Sequence, residues 1–428
     1  MNILWLINIP LPEASQLMGE NPSPFGGWLI NAAKDLANKE GVELSIAFPS
    51  NKASKFKELK GEKINYYPFI PVKETNNKVI EYNESFETLL NNLNPDIVHI
   101  YGTEIAHTLS MVNTCNKINI KTVISVQGLV YIIEKHMYSN LPIYAIYGNT
   151  FRNIIRKDNV SGLKRLFKNR GKNEIESLQK TNHIIGRTTW DKACSNQINP
   201  QANYHFCNET LREEFYKHQW DVNDCEKHSI FLSQGQYPIK GLHYMLDAIP
   251  LILKKFPKAK VYISGKDITK SDSIKDKLLM TYYGKYIKKM IKKLNLERNV
   301  VFTGPLDEKK MCQRYLKSHV FVCPSSIENS PNSLGEAMML GVPSVASYVG
   351  GIPDMLKDKE EGFLYQHDAP YMLAQYVCEI FENADLALKF SKNAREHALK
   401  THDRDENTRR LIEIYRDVIE KKGEKFEC

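Results

Sequence analysis

Two glutamates eight positions apart, Glu328 and Glu336, stand in the stretch PSSIENSPNSLGEAMMLGVPSVASYVGGIP, which runs from Pro324 to Pro353. An apolar strand ends at Pro324, a loop follows, and a helix is expected to begin near Asn332. This places Glu328 in the loop and Glu336 on the helix. In parallel sheets, ligands collect beyond the carboxyl ends of the strands, where the N-termini of the following helices point. Those termini carry unpaired N–H groups and partial positive charge, which suit a diphosphate. A nearby carboxylate can accept hydrogen bonds from sugar or ribose hydroxyls. Gly350 and Gly351 close the next strand and would let backbone approach a ligand. Taken alone, the two glutamates read more readily as solvated loop and helix charges; it is their context that favours a site.

The elements around this stretch must position it. In the N-terminal half, Ile3 to Asn8 reads as a buried strand, followed by a turn-rich loop from Pro10 to Gly27. Leu29, Ile30, Ala33, Leu36 and Ala37 then share one helical face. Val42 to Phe48, Asp96 to Tyr101 and Thr122 to Val126 read as further strands, with a helix from about Glu104 to Cys115 between the last two. The alternation restarts at Ser229 and continues through strands at Ile230–Ser233, Val261–Ser264, Val300–Thr303, Val320–Cys323 and Ser344–Ser347. Helices separate them, and Pro250 should kink the one from Leu242 to Phe256. Strands alternating with helices imply parallel sheets covered on both faces. Two such units are expected, joined by the polar stretch 208–228, and the chain from about Pro370 reads as helix to Ile419.

With 428 residues the chain is long enough for two domains. A formal charge of +8 fits an anionic small ligand or an anionic membrane surface, and no module motif points to nucleic acid. The eight cysteines are scattered without a C-x-x-C pair, which argues against structural zinc and for reduced thiols in a cytoplasmic setting. The first ten residues lack the basic start and small-residue cleavage site of a signal peptide. Nothing approaches the roughly 20 apolar residues that span a bilayer, so any membrane contact is expected to be peripheral.

The segment around the two glutamates resembles the E-x7-E motif of retaining GT-B glycosyltransferases of family four, the glycosyl transferases group 1. Glu328 and Glu336 match its glutamates. Glu336-Ala337-Met338, Gly341-Val342-Pro343 and Gly350-Gly351-Ile352-Pro353 resemble its flanking signature. The resemblance implies that Glu336 binds the donor ribose and that Glu328 contacts the transferred sugar, with backbone near Asn329 and Ser330 close to the donor. In SQGQYPIKGL, Lys240-Gly241 matches the family's phosphate-binding lysine–glycine pair. Gly235 matches the preceding glycine, but Gln236 stands where the family has arginine. Glutamine can donate a hydrogen bond yet cannot neutralise charge, so phosphate binding would lean on Lys240 and helix termini. VFTGPL, Val301 to Leu306, resembles the base-binding turn, with backbone at Pro305 and Leu306 meeting the base.

The N-terminal half resembles the family more loosely. Gly26 and Gly27 look like its glycine-rich loop, or are a turn shaped only by conformation. His99, in PDIVHIYG, reads as core. The family often has histidine after the strand at Val123–Val126; here Gln127-Gly128 follows. Gln127 could bond a sugar hydroxyl without titrating, and Arg187 could supply compensating charge. The family implies two Rossmann-like, doubly wound α/β domains facing across a cleft. The expected divisions are an acceptor domain at 1–208, a donor domain at 209–400, and C-terminal helices at 401–428 packing back on the first domain.

Membership would imply transfer of a hexose-type sugar from a nucleotide sugar, most readily a UDP-sugar, with retention of configuration. The acceptor would be a glycan or lipid-linked saccharide in bacterial surface polysaccharide synthesis. Lys240 and oriented N–H groups would stabilise the leaving diphosphate, whose own phosphate would take the acceptor proton. No cofactor or metal is expected, because no D-x-D motif sits at a strand end. Residues 151–172, with eight Lys or Arg, one Asp and interleaved apolar residues, form a basic amphipathic segment. It fits the inner face of a membrane or a solvated helix packed on its own domain. Other GT-B chemistries, sugar-nucleotide epimerisation or phosphorolysis, and a catalytically weak binding partner in a polysaccharide assembly are the alternatives.

Overall fold

The computed structural model describes residues 1–22, 26–53, 58–71 and 79–420; the last eight residues of the expected terminal helix, 421–428, lie outside them. The chain separates into two compact units. The first comprises Met1–Tyr131, Asn169–Arg212 and Thr401–Cys428, the second Ile132–Lys168 and Glu213–Lys400.

Among the described residues the first unit holds eight strands: β1 Asn2–Leu6, β2 Glu43–Pro49, β3 Leu59–Lys60, β4 Ile64–Phe69, β5 Ile97–Tyr101, β6 Lys121–Ser125, β7 His183–Gly186 and β8 Asn203–Phe206. They form one sheet in the order β3-β4-β2-β1-β5-β6-β7-β8. Among these described strands, only β3 runs antiparallel to its neighbour. Every residue of β5 is buried, as is Ile3 to Leu6 of β1. Such unbroken apolar burial is what a parallel sheet covered on both faces requires.

The terminal helix Arg404–Glu420 belongs to this unit. Its Leu411, Ile414, Tyr415 and Val418 share a core with Ile3, Trp5 and Ile46. A buried polar chain fixes it there. Trp5 Nε1 donates to the Tyr415 hydroxyl at 2.9 Å, and that hydroxyl lies 2.6 Å from His99 Nδ1. His99 Nε2 lies 2.7 Å from Ser125 Oγ. The tyrosine oxygen accepts from tryptophan, and the tautomer of the neutral imidazole sets which way the next two bonds run. Burial lowers the His99 pKa to about 3. His99 is therefore a core residue.

The second unit contains six strands: β9 Glu226–Leu232, β10 Lys260–Ser264, β11 Val300–Gly304, β12 Ser318–Cys323, β13 Ser344–Ser347 and β14 Phe363–Tyr365. All pair in parallel, in the order β11-β10-β9-β12-β13-β14. Pro250 is accommodated inside the helix Leu242–Leu253.

The grouping differs from a division at residue 208, because residues 132–168 cluster with the second unit. Specific polar contacts account for this. His243 Nε2 lies 2.8 Å from the Ser139 carbonyl, Ser139 Oγ lies 2.9 Å from Ser326 Oγ, and Asn153 Oδ1 accepts from the Tyr282 N–H at 2.8 Å. Sequence periodicity reports which face of an element is apolar, not which distant backbone satisfies its polar groups.

Candidate functional site

In the second sheet the chain enters at β9, builds outward through β10 and β11, then returns to add β12, β13 and β14 on the other side. The loops leaving β9 and β12 therefore diverge in opposite directions and open a crevice at the switch point between two neighbouring strands. Lys240 lies on the first of these loops and Glu328 on the second. They meet there: Lys240 Nζ donates to Glu328 Oε1 at 2.6 Å, and Ser325 Oγ donates to the same oxygen at 2.7 Å. Both side chains are partly exposed. Burial opposes the lysine's charge, but the Glu328 carboxylate outweighs it and holds the Lys240 pKa above the ordinary lysine value.

The backbone around this pair permits little alternative. Gly241 has φ +70°, and a Cβ there would lie 1.8 Å from the Pro324 carbonyl oxygen. Gly350 has φ +52°, and a Cβ there would lie 1.9 Å from the Glu328 carbonyl oxygen. That same oxygen accepts from the Gly351 N–H at 3.1 Å, and the Ser326 N–H donates to the Ile239 carbonyl at 2.8 Å. The glycines are thus required by close backbone approach and left-handed conformation together. The loops after β9, β12 and β13 are locked to one another.

Two helices start at this end of the sheet. Leu242–Leu253 has Gly241 at its N-cap, and Asn332–Leu340 has Pro331. Neither residue offers a side-chain acceptor to the first-turn N–H groups, which suits a bound anion. Glu336 sits on the second helix and is buried, as is Asn329, while Ser330 is half-buried. Gly235 is buried; its absent Cβ would touch Ile263 and Leu242 at 3.0 Å. Pro305 is exposed and Leu306 half-buried, in the turn that leaves β11 after Gly304, where φ is +76°.

Gln236 turns toward the neighbouring strand end. Its Nε2 donates to the Ser264 carbonyl at 3.2 Å, and it occupies the space that a Cβ on Gly265 would fill, 1.7 Å away. The amide that replaces the family's arginine is thus partly engaged with backbone.

The remaining sequence-derived residues lie in the first unit. Gly26 caps the helix Gly27–Ala37 with φ +74°, and a Cβ there would collide with Ile9 at 2.2 Å. Gly27 faces the Arg212 side chain, where a Cβ would lie 2.7 Å away. Gln127 and Arg187 are brought together by a residue that sequence reasoning passed over. Glu209 accepts from Gln127 Nε2 at 2.8 Å and forms an ion pair with the buried Arg187 guanidinium. Arg187 thus has its charge balanced within its own unit.

Glu209, Ser325 and Gly265 were the missed contributors. Glu209 lies in a stretch that reads as linker. Ser325 stands beside Glu328 in sequence, yet nothing in PSSIE says which hydroxyl turns toward the carboxylate. Among the described residues, no group of three His, Cys, Asp or Glu side chains is placed to hold a metal ion. Among the same residues, no helix is long and apolar enough to cross a membrane.

Residues 213–397, nearly the whole long segment of the second unit, match the family described as Glycosyl transferases group 1. The chain is 26% identical over 214 residues to the putative glycosyltransferase YtcC of Bacillus subtilis, covering 49% of this chain and 50% of that protein. It is 27% identical over 179 residues to a poly(ribitol-phosphate) alpha-N-acetylglucosaminyltransferase of Staphylococcus aureus, covering 42% and 33%. The chain thus spans about half the length, or less, of these curated relatives. Sucrose-phosphate synthase from Thermosynechococcus elongatus shares the fold with a TM-score of 0.70 at 15% identity, over 98% of this chain and 99% of that one. Anabaena HepE, solved with UDP and glucose, shares it with a TM-score of 0.66 at 14% identity, over 97% and 100%. The fold is that of the GT-B glycosyltransferases.

Proposed function

We propose, from a chain whose residues 213–397 match the group 1 glycosyl transferase family, that the protein moves a sugar from a nucleotide diphosphate donor to a glycan or lipid-linked acceptor. The observation that carries this reading is the Lys240–Glu328 pair at the β9/β12 switch point, beside two helix N-termini whose caps leave room for an anion. Lys240 would hold the donor diphosphate and, with the N–H groups of those helices, stabilise charge as it leaves. Such preorganised donors are commonly worth about 3–4 kcal/mol each. Glu328 would hold Lys240 in place and accept from hydroxyls of the transferred sugar, and Glu336 would accept from the donor ribose. Transfer with retention follows the E-x7-E resemblance, with the leaving phosphate taking the acceptor proton. UDP is the favoured nucleotide by analogy with HepE, and a polymeric acceptor is favoured by analogy with the staphylococcal poly(ribitol-phosphate) alpha-N-acetylglucosaminyltransferase.

Gln236 leaves the diphosphate short of one positive charge relative to the family pattern. We assign the remaining neutralisation to Lys240 and backbone N–H groups, without a metal. The test is calorimetric titration with UDP, GDP and ADP, with and without magnesium or EDTA. Binding of one nucleotide, unchanged by EDTA, supports the assignment. Failure of all three would favour a binding partner without donor chemistry, and donor conversion without an acceptor would favour an epimerase.

A further inference from the structure

The basic segment 151–172 does not form one amphipathic helix. It divides into a short helix Phe151–Arg156 and the start of a longer one, Val160–Gln179. On the longer helix Leu163, Leu166 and Phe167 are half-buried, whereas Phe151, Ile154 and Ile155 on the short one are exposed. The short helix is built inside out. Its polar Asn153 is 1% exposed, and its apolar residues at i, i+3 and i+4 face solvent, Ile154 at 67%.

This orientation is fixed. Thr150 and Asn153 form a capping box, Asn153 Nδ2 donates to Asp158 Oδ1 at 2.7 Å, and Asn153 Oδ1 accepts from the Tyr282 N–H. Arg152 pairs with Asp158 and also donates to the Leu279 carbonyl at 3.1 Å, while Thr150 Oγ1 donates to the Met280 carbonyl at 2.7 Å. These bonds tie the short helix to another, Ile274–Leu279, which buries none of its residues and exposes Ile274 at 79%. A third short helix, Ile143–Tyr147, exposes Ile143, Tyr144 and Tyr147, and Tyr144 packs edge-on against Tyr286.

Of the 17 large hydrophobic side chains exposed among the described residues, nine belong to these three helices. Concentration of that kind marks an interaction surface, where scattered single residues would need no explanation. Its charge selects the partner. Residues 266–293 hold nine lysines against three aspartates, and the helix Tyr282–Lys293 carries five of the lysines. Lys289 lies over the Tyr144 ring at 5.7 Å. Protein interfaces are depleted of lysine, whereas apolar residues within a lysine-rich surround suit an anionic bilayer, which takes the apolar tips while its headgroups meet the ammonium groups.

We propose that the helices Ile143–Tyr147, Phe151–Arg156 and Ile274–Leu279 form a rigid apolar face that docks on an anionic lipid surface, with the lysines of 266–293 supplying charge attraction. This deepens the membrane reading of 151–172 and moves its apolar contact onto a composite surface. It does not depend on the identity of the donor.

The test is co-sedimentation of the full chain with phosphatidylcholine vesicles, alone and mixed with phosphatidylglycerol. Wild-type protein is expected to pellet with the anionic vesicles only, and salt is expected to release it. Ile154→Glu combined with Ile274→Glu should weaken binding by about tenfold or more. Leu399→Glu, an exposed apolar residue elsewhere, should bind as wild type. Absence of wild-type binding to anionic vesicles overturns the proposal, as does undiminished binding by the double variant. So does a wild-type dimer that the double variant abolishes without lipid binding, which would make the face a protein interface. UDP titration of the same variants separates the two readings: the double variant should keep wild-type nucleotide affinity, and a wild type that binds vesicles but no nucleotide would sink the donor assignment alone.

Discussion

Lys240 Nζ lies 2.6 Å from Glu328 Oε1 although 88 positions separate the two residues in sequence. Each comes from a loop leaving one of two adjacent strands, β9 and β12, at the place where the strand order reverses. Before a nucleotide arrives, the carboxylate balances the ammonium. In the proposed reading a diphosphate would compete for that lysine, so the pair would set donor affinity as well as turnover.

Removing each member should therefore act differently. Lys240→Met is expected to weaken UDP binding by roughly 10–100-fold, the loss of one charge-assisted hydrogen bond. Glu328→Gln should leave UDP affinity equal or higher, since the lysine is freed, while turnover falls by about 100-fold or more. A double-mutant cycle on urea stability should give a coupling of about 1–2 kcal/mol. Equal loss of UDP affinity in both single variants would refute the competition.

The lysine should introduce no pH step in nucleotide binding. Burial works against its charge, but Glu328 prevails and raises its pKa. Its contribution is complete below the unfolded value of about 10.4 and is lost only as pH rises through the higher folded value. UDP affinity measured from about pH 7 to 9 should show no transition attributable to Lys240. A step in that range that vanishes in Lys240→Met would contradict this.

Glu336 is buried on the helix Asn332–Leu340. Glu336→Gln keeps its shape and loses its charge, and should cost about 10-fold or more in UDP affinity. The deoxy-ribose analogues of UDP should lose their affinity deficit in this variant. If they remain equally handicapped, the ribose assignment fails.

Gly350→Ala tests the loop lock. A Cβ there would lie 1.9 Å from the Glu328 carbonyl oxygen, and φ is +52°. The β12 and β13 loops must separate to admit it. The expected result is destabilisation of about 1–3 kcal/mol and a larger loss of turnover than of UDP affinity. Wild-type turnover would show that Glu328 does not need its loop held.

His99 joins His107, His243 and His319 as histidines whose pKa burial lowers to about 3 or 4, and each contributes to acid sensitivity. The His99 pKa falls to about 3 in the folded chain because burial disfavours the imidazolium. Stability is fully present above the unfolded value of about 6.5 and is lost as pH falls toward the folded value, on the order of 3 kcal/mol by pH 4. Urea midpoints between those limits should drop with acid, and His99→Gln should flatten the slope. An unchanged slope would assign acid sensitivity to other groups.

The amino-acid sequence by itself determined the alternation of strands and helices, because buried parallel strands and one-sided helices leave local apolar periodicities. It also displayed Glu328, Glu336 and Lys240-Gly241 at spacings that a family resemblance could interpret. The left-handed glycines were legible as glycines, though not what they make room for. Only the tertiary structure decided that Lys240 and Glu328 are partners and that Gln236 bonds the end of β10. It alone showed that Glu209 gathers Gln127 and Arg187. It likewise decided that residues 132–168 join the second unit and that Asn153 turns inward while Ile154 turns out. The reason is common to all of these. Hydrophobic periodicity repeats within a single element and can be read along the chain. Hydrogen bonds and ion pairs depend on distances between elements, which strand order fixes and no local pattern records.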